Sequence, residues 1–228
     1  MANRKKMTGV CPYCCEQAVL TRDHVIPQCL YTSGVPGNSP KVYACSHGNN
    51  DLKSRLDTYF RDFLVLDIEG SEHPVSKSLF PKLARAVKRK QSLMALHVMQ
   101  AQLMSRFTPS GLFAGFVYGI QLPDQSITAG LSMMTRGLYY FYTRQMLPQN
   151  ISFTIHRQWD MQKYATDIQL LLCKGAHYVA AGEGDVFACM YAIPQEKPTC
   201  SLWFLSFLRK VYFSVTTDYQ TLFDQAAG

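Results

Sequence analysis

The chain has 228 residues, of which 47% are hydrophobic and 17% are charged, as in ordinary folded proteins. This length supports one or two domains with a real core, and this composition excludes long disordered stretches. The longest mostly apolar stretch, residues 111–122, contains three glycines and spans about a dozen residues, whereas a membrane-spanning helix needs about 20. We therefore expect no membrane span.

The net charge of +7 is concentrated in the first half of the chain. Residues 1–110 hold 15 Lys or Arg and 8 Asp or Glu, whereas residues 111–228 hold eight of each kind. Five of the eight cysteines also lie in the basic half. This distribution is typical of a polyanion-binding surface beside a metal-ordered site, and a solvated basic face is the alternative.

The cysteines are too dilute for a disulfide scaffold, and four of them lie within the first 29 residues. The start of the chain has basic residues but no apolar segment behind them, so we expect no secretory signal. We expect a cytoplasmic, reducing compartment and metal ligation rather than disulfides. Cys173, Cys189 and Cys200 lie in apolar runs, which favours small buried side chains over ligands.

The hydrophobic pattern changes along the chain and predicts an α+β fold. Residues 1–50 are rich in turn formers and predict short strands and loops, and residues 51–66 have the 3.6-residue stripe of a helix capped by Asn50 or Asp51. Residues 67–80 mix Gly, Pro, Ser and acids without a period, which predicts a linker. Beyond it, the pattern predicts helices over residues 81–104 and 127–144, then strands over residues 151–155, 168–172, 186–193 and 203–215.

The division that follows is a module over residues 1–66, a linker over residues 67–80 and a helical and antiparallel-sheet domain over residues 81–228. We expect the last domain to bind substrate, a protein partner or a second copy of the chain.

The residues best suited to chemistry are Asp23, His24 and Asn50. His24 has a side chain whose pKa suits a general base near neutral pH. Asp23 and Asn50 offer hard oxygen ligands for Mg²⁺ or Mn²⁺, which could neutralise charge on a phosphate. Neighbouring side chains on a strand point to opposite faces, so Asp23 could face a metal while His24 faces a water, or a local bend could bring both into one cleft.

The spacing of these residues resembles that of the HNH endonucleases, the ββα-metal nucleases. The matching features are a Cys-x-x-Cys, an Asp-His pair followed by Pro, a further cysteine and an Asn at a helix start, which here are Cys11, Cys14, Asp23, His24, Pro27, Cys45 and Asn50. The resemblance covers about residues 10–64. It implies that His24 is the general base, that Asp23 and Asn50 bind the single catalytic Mg²⁺ or Mn²⁺, and that the cysteines hold a structural Zn²⁺.

The sequence departs from the pattern of that family at two places. Gly48 stands where the last cysteine of the second knuckle is usual, so the zinc would need His47 or Cys15 as its fourth ligand, and we favour His47. The middle Asn of the family pattern has no clean match, and Asn38 is the nearest candidate.

Basic residues indicate where a nucleic acid would bind. The run over residues 82–90 places five cations in nine residues with no acid, as in a stripe that follows a phosphate backbone. A solvated helix face would give the same pattern. We expect contacts from Arg22, Lys53, Arg85, Lys88 and Arg89, with Lys53 near the scissile phosphate.

These features favour a metal-dependent endonuclease that acts on DNA rather than RNA, in the setting of a mobile element or of defence against invading DNA. One rival is a treble-clef-like zinc module that binds nucleic acid without cutting it. A second rival is an interaction subunit whose nuclease module is degenerate.

Overall fold

The computed structural model describes residues 7–67, 70–89, 93–108, 110–120, 124–158, 177–181 and 186–218. These residues form a mixed α and β structure with antiparallel sheets, as the sequence predicts. The helices are α1 (Ser54–Leu66), α2 (Pro74–Lys88), α3 (Leu93–Met99) and α4 (Asp124–Thr143). Among the described helices, none is long and apolar enough to cross a membrane.

A three-stranded antiparallel sheet in the order β1-β2-β3 opens the fold. Its strands are β1 (Met7–Val10), β2 (Gln17–His24) and β3 (Lys41–Cys45). The first two strands enclose the turn that carries Cys11 and Cys14, and a short 3-10 helix at Gln28–Leu30 follows β2. The predicted short strands and loops of this region are therefore confirmed.

The chain leaves β3 through a π-helical segment, His47–Lys53, that runs directly into α1. Helical structure thus begins before the predicted start at residue 51, and Asn50 lies within it rather than at its cap. The predicted stripe of α1 is confirmed, since Tyr59, Phe60, Phe63 and Leu64 are buried. Phe60 packs on Phe207 and Phe213 of the C-terminal sheet.

The segment predicted as a linker contains the start of α2. This helix begins at Pro74, which lies at its first position, while His73 accepts a hydrogen bond from the Val75 amide as its N-cap. Pro81, predicted to open the helix, lies inside it on the exposed side. The linker over residues 67–80 was predicted because this segment is rich in Pro and Ser. In the structure several of these residues lie in the first turns of α2, after its N-cap.

The prediction of a single helix over residues 81–104 is wrong. Instead α2 ends at Lys88, α3 follows, and the chain then enters a two-stranded hairpin of β4 (Gln102–Phe107) and β5 (Phe113–Gly119). The turn between the strands contains Gly111 with φ +83°, a conformation that glycine adopts at low cost. An apolar run of this length is compatible with a helix or with a strand, and the glycine turn at its middle favours two strands.

The C-terminal sheet is antiparallel with the order β6-β10-β9-β8-β7. Its strands are β6 (Phe153–Gln158), β7 (His177–Ala181), β8 (Phe187–Ala192), β9 (Ser201–Phe207) and β10 (Val211–Thr217). The strand predicted over residues 203–215 is two strands, because Leu208 and Arg209 take positive φ and turn the chain. The strand predicted over residues 168–172 lies outside the described residues.

The buried core runs without a break from the N-terminal module to the C-terminal sheet. Helix α4, which was predicted closely, contacts α1, β3, β6 and β10. At Gly137 of α4 an added Cβ would lie 2.8 Å from Val25 and 3.1 Å from Tyr13, so the close approach of these elements requires a glycine. The module and the sheet therefore support each other directly, through Phe60 of α1, and also through α4.

Candidate nuclease and metal site

Strand β2 places Asp23 and His24 on opposite faces of the N-terminal sheet. Asp23 pairs in register with Val42 and is 7% exposed, whereas His24 pairs with Lys41 and is partly exposed. This is the first of the two arrangements that the sequence allows, since no bend brings the two side chains into one cleft. Asp23 faces the interior and His24 faces outward.

The Asp23 carboxylate is held by two partners that both use Oδ2. The Tyr13 hydroxyl donates a hydrogen bond of 2.7 Å to this oxygen, and Lys53 Nζ lies 3.8 Å from it. Burial, followed by the negative charge of Asp23, raises the pKa of Tyr13 well above its usual value, so the hydroxyl keeps its proton and stays a donor. Asp23 Oδ1 takes part in neither contact.

The ammonium of Lys53 lies in the interior between two carboxylates. Its side chain is 2% exposed, and Nζ is 2.5 Å from Asp57 Oδ2 in addition to its contact with Asp23. Burial raises the pKa of Asp57 to about 6, with the negative charge of Asp23 adding to the rise and the charge of Lys53 opposing it. Lys53 was expected to contact the scissile phosphate. Instead its ammonium is buried and pairs with the carboxylates of Asp57 and Asp23.

His24 has the surroundings of a base that is neutral near pH 7. Burial lowers its pKa below 6.5, and the charge of Lys41 lowers it further, while Asp23 opposes the change. The side-chain amide of Gln28 contacts Nδ1. The atom that faces Nδ1 is the amide nitrogen, which donates, so the proton of the neutral ring then lies on Nε2. Rotation of the Gln28 amide by half a turn would bring its oxygen to Nδ1, move the ring proton to Nδ1 and leave Nε2 able to accept a proton.

The remaining residues predicted around the catalytic ion lie at the surface. Asn50 is exposed within the π-helical segment, and no described hydrogen bond joins it to Asp23 or His24. Arg22 is also exposed, next to Asp23 on β2. Asp23, His24 and Asn50 therefore share one small module without forming a closed ligand set.

Three of the four predicted zinc ligands come together. The sulfur atoms of Cys11, Cys14 and Cys45 all lie within 4.8 Å of one another, so this cluster could hold a metal such as zinc. Backbone amides of Cys45, Cys14 and Tyr13 donate to the Cys11 sulfur; burial alone would raise its pKa, and these bonds lower it on balance. The Gly48 amide donates to Cys45 Sγ at 3.1 Å. The amides directed at Cys11 favour its thiolate, the form that binds metal, whereas burial raises the pKa of the Cys14 thiol to about 12.

The residues considered for the fourth position point elsewhere. His47 is exposed, and its Nδ1 lies 3.3 Å from Asp51. The Cys15 thiol donates to the Leu147 carbonyl at 3.5 Å. Within the described part of the chain, neither side chain joins the sulfur cluster.

The predicted basic stripe is exposed along α2. This helix buries Ser76, Leu79 and Leu83 and leaves its cations in solvent. Lys82, Arg85 and Arg89 line one shallow groove of about 340 Å³, and Lys88 is exposed beside them. Lys90 lies outside the described residues.

Tyr13 and Asp57 are site residues that the sequence pattern did not identify. Tyr13 lies between the two cysteines of the first knuckle, where its hydroxyl reaches Asp23. Asp57 follows Lys53 by four residues, a spacing that usually indicates a surface pair on a helix. The burial of the Lys53–Asp57 pair results from packing in the fold, and the spacing of the two residues in the sequence does not predict it.

Comparison with family models, with curated proteins and with solved structures gave no match.

Replacement of Lys53 by Met should strongly destabilise the protein. It leaves the Asp57 and Asp23 carboxylates buried without their cation, a change that costs about 3–5 kcal/mol in comparable pairs. The loss should be smaller at pH 5 than at pH 7, because the Asp57 carboxyl, with its raised pKa, can take up a proton and become neutral. Urea denaturation at the two pH values measures both effects.

Lys77→Met is the matched control for this prediction. Lys77 also pairs with a carboxylate, that of Glu72 at 3.1 Å, but both side chains are more than half exposed. Its replacement should change stability by less than about 1 kcal/mol. Equal effects of the two substitutions would show that burial of Lys53 carries no energetic weight.

Proposed function

We propose that the protein is a metal-dependent endonuclease that hydrolyses phosphodiester bonds of DNA. The observation that carries this proposal is the arrangement of strand β2, which presents a partly exposed histidine of lowered pKa on one face and a carboxylate held by two partners on the other. The resemblance of the motif to HNH endonucleases supports the same reading.

In this proposal His24 acts as the general base. A base must be unprotonated before it can take a proton from the attacking water, and the pKa of His24 lies below its usual value. Gln28 holds Nδ1 of the ring and so orients it. The partial exposure of His24 leaves the imidazole within reach of a bound phosphodiester.

Asp23 and Asn50 would hold the Mg²⁺ or Mn²⁺. The fit rests on their chemistry: Asp23 keeps Oδ1 outside its contacts with Tyr13 and Lys53, and Asn50 is exposed with its amide oxygen available. The ion, when bound, would supply positive charge against the charge that builds on the phosphate. Tyr13 and Lys53 would orient the Asp23 carboxylate and limit its motion.

A Zn²⁺ at Cys11, Cys14 and Cys45 would have a structural role in the proposed enzyme. It would tie the turn between β1 and β2 to the end of β3, next to the segment that carries Asn50. Metal binding of this kind stabilises modules too small to depend on burial alone. The described cysteines are free thiols, which supports a reducing, cytoplasmic setting for the protein.

The exposed cations of α2 would hold the phosphate backbone of the DNA. Lys82, Arg85 and Arg89 line the same groove, so three charges could act on neighbouring phosphates. Such contacts carry affinity without sequence preference. Arg22 would add a contact beside the catalytic strand, and Lys88 would add one beside the groove.

A second candidate function is a zinc module that binds nucleic acid without cutting it. The observation in its favour is that an ammonium already lies beside Asp23, so the carboxylate has a cation partner without any metal. This candidate shares the basic groove and the cysteine cluster with the first. Cleavage therefore separates the two.

Replacement of His24 by Ala should abolish metal-dependent cleavage and leave DNA binding and folding nearly unchanged. The reason is that the substitution removes the base without disturbing the core, because His24 faces outward. Supercoiled plasmid and single-stranded DNA incubated with Mg²⁺, with Mn²⁺ and with chelator measure nicking, and gel retardation measures binding.

His156→Ala is the control, since His156 is exposed on β6 in the C-terminal sheet. It should cut as the unmodified protein does. If the His24 variant cuts equally well, the proposed mechanism is wrong. If unmodified protein binds plasmid but never cuts it, the proposal of a nuclease is wrong and the second candidate, a zinc module that only binds nucleic acid, is favoured.

The pH dependence of cleavage should depend on Lys41. Because burial and the charge of Lys41 lower the pKa of His24, the acid limb of kcat/KM should lie below pH 6.5. Lys41→Met removes one cause of the lowering, so the limb should move to higher pH while the plateau at alkaline pH stays similar. Rates measured between about pH 5 and pH 8 test this shift.

Lys210→Met serves as the control for Lys41, because Lys210 is an exposed cation on the turn between β9 and β10. Its profile should match that of the unmodified protein. If the acid limb of kcat/KM is identical in all three proteins, His24 is not the general base.

DNA affinity should depend on the groove of α2. Replacement of Lys82, Arg85 and Arg89 together by Ala should weaken binding and reduce the slope of log affinity against log salt by up to about 3, since each phosphate contact contributes about 0.9. Fluorescence anisotropy at several salt concentrations gives the slope.

The charge-matched control replaces Arg106, Lys197 and Lys210, which lie outside α2. This variant has the same change of net charge, so general electrostatic attraction falls equally in both. Equal losses of affinity and of slope would show that the groove has no special part in binding.

A further inference from the structure

The cysteine cluster has a distinctive neighbour, Gly48, which stands three residues after Cys45 at the start of the π-helical segment. An added Cβ at this position would lie 2.9 Å from Cys11 Sγ and 3.3 Å from Cys45 Sγ. The main chain at Gly48 therefore packs directly against the Cys11 and Cys45 sulfur atoms. It offers an amide hydrogen to Cys45 Sγ and no side chain.

The glycine is not required by the backbone at this point. Gly48 is absent from the positive-φ glycines, so its φ is one that any residue can adopt. The constraint at Gly48 is the space beside the sulfurs, since a larger residue would press on Cys11 and Cys45. An added Cβ would also lie 3.3 Å from Tyr13 Cβ, so close packing against Tyr13 and the two sulfurs, rather than the backbone conformation, accounts for the glycine.

No described side chain takes the place of the missing ligand. His47 is directed to Asp51, and Cys15 donates to the Leu147 carbonyl. The Glu16 carboxylate lies 3.9 Å from Cys14 Sγ, but it is exposed and does not join the group of three sulfurs. Within the part of the chain that the structure describes, a tetrahedral ion held by this cluster would have three protein ligands.

The three sulfurs have the spacing that a thiophilic ion needs. Zn–S bonds of about 2.3 Å at tetrahedral angles place sulfur atoms about 3.8 Å apart. The Cys14 and Cys45 sulfurs are 3.5 Å apart, and all three lie within 4.8 Å. Cys14 is also partly exposed, so one side of the cluster is open to solvent.

We propose that Cys11, Cys14 and Cys45 form a three-thiolate metal site whose fourth position is filled by an exchangeable ligand from outside the chain. The ion is a soft or borderline one such as Zn²⁺, and the fourth ligand is water or the thiolate of a small thiol. When a thiol binds, it replaces the water, and its proton goes to the solvent. The site thus differs from a closed structural knuckle, and it stands whether or not the protein cuts DNA.

The test uses Co²⁺, whose visible absorption spectrum reports the number of thiolate ligands. The full-length protein is loaded with Co²⁺ and titrated with 2-mercaptoethanol. The spectrum should begin as that of a three-thiolate site and change, with saturation, to that of a four-thiolate site. A spectrum that does not respond to the thiol would overturn the proposal, as would failure to bind Co²⁺ at all.

Gly48→Cys is the informative variant, because it supplies the fourth thiolate from the chain itself. It should show the four-thiolate spectrum from the start, lose the response to added thiol, and hold Zn²⁺ about tenfold or more tightly in competition with a chelator. Gly48→Ala adds the same Cβ without a ligand, so it measures the steric effect alone. It should bind Zn²⁺ more weakly than the unmodified protein.

Two further variants test whether Glu16 or His47 supplies the fourth ligand. Glu16→Gln and His47→Ala should leave both the Co²⁺ spectrum and the thiol response unchanged. If either one alters the starting spectrum, that residue closes the site and the proposal is wrong. Because these readouts are spectra and Zn²⁺ affinities, their outcome is independent of the plasmid assay with His24→Ala.

Discussion

The buried ammonium of Lys53 is the interaction on which the N-terminal module depends. It joins three parts of the chain: α1 through Asp57, β2 through Asp23 and, by way of Asp23, the cysteine turn through Tyr13. A charge with 2% exposure is stable only when it is paired. The two carboxylates supply the pairing, so the position of each element is linked to the positions of the other two. The same contacts fix the Asp23 carboxylate on the face of β2 opposite His24.

The π-helical segment connects this buried charge to the cysteine cluster. Gly48 near its start lies against the sulfurs, and Lys53 at its end lies between the carboxylates. A π turn holds more residues than an α turn, and such turns often occur at functional sites. A shift at one end of this short segment would therefore be felt at the other. Metal content at the cysteines and the geometry around Asp23 are expected to be coupled for this reason.

Much of the fold and part of the site could be predicted from the sequence, and the reasons differ between elements. Helices α1 and α4 have long apolar stripes, and these identify a helix without knowledge of its neighbours. Cys11 and Cys14 are close in sequence, so local spacing brings their sulfur atoms together, whereas Asp23 and His24 are adjacent on a strand and point to opposite faces. The β4–β5 hairpin and the start of α2 were missed because a glycine turn and a histidine cap decide them. The partners of Lys53 were missed because burial comes from packing between distant segments.

The C-terminal sheet acts on the site through the core rather than through contact. Helix α4 lies between them, with Gly137 against Tyr13 and Val25 on one side and with contacts to β6 and β10 on the other. Tyr13 is the residue that donates to Asp23, so the packing of α4 determines where that hydroxyl stands. A larger side chain at Gly137 would move Tyr13 and so change the position of the Asp23 carboxylate, although α4 itself carries no site residue. The sheet thus gives the small module the rigid support that its own three strands lack.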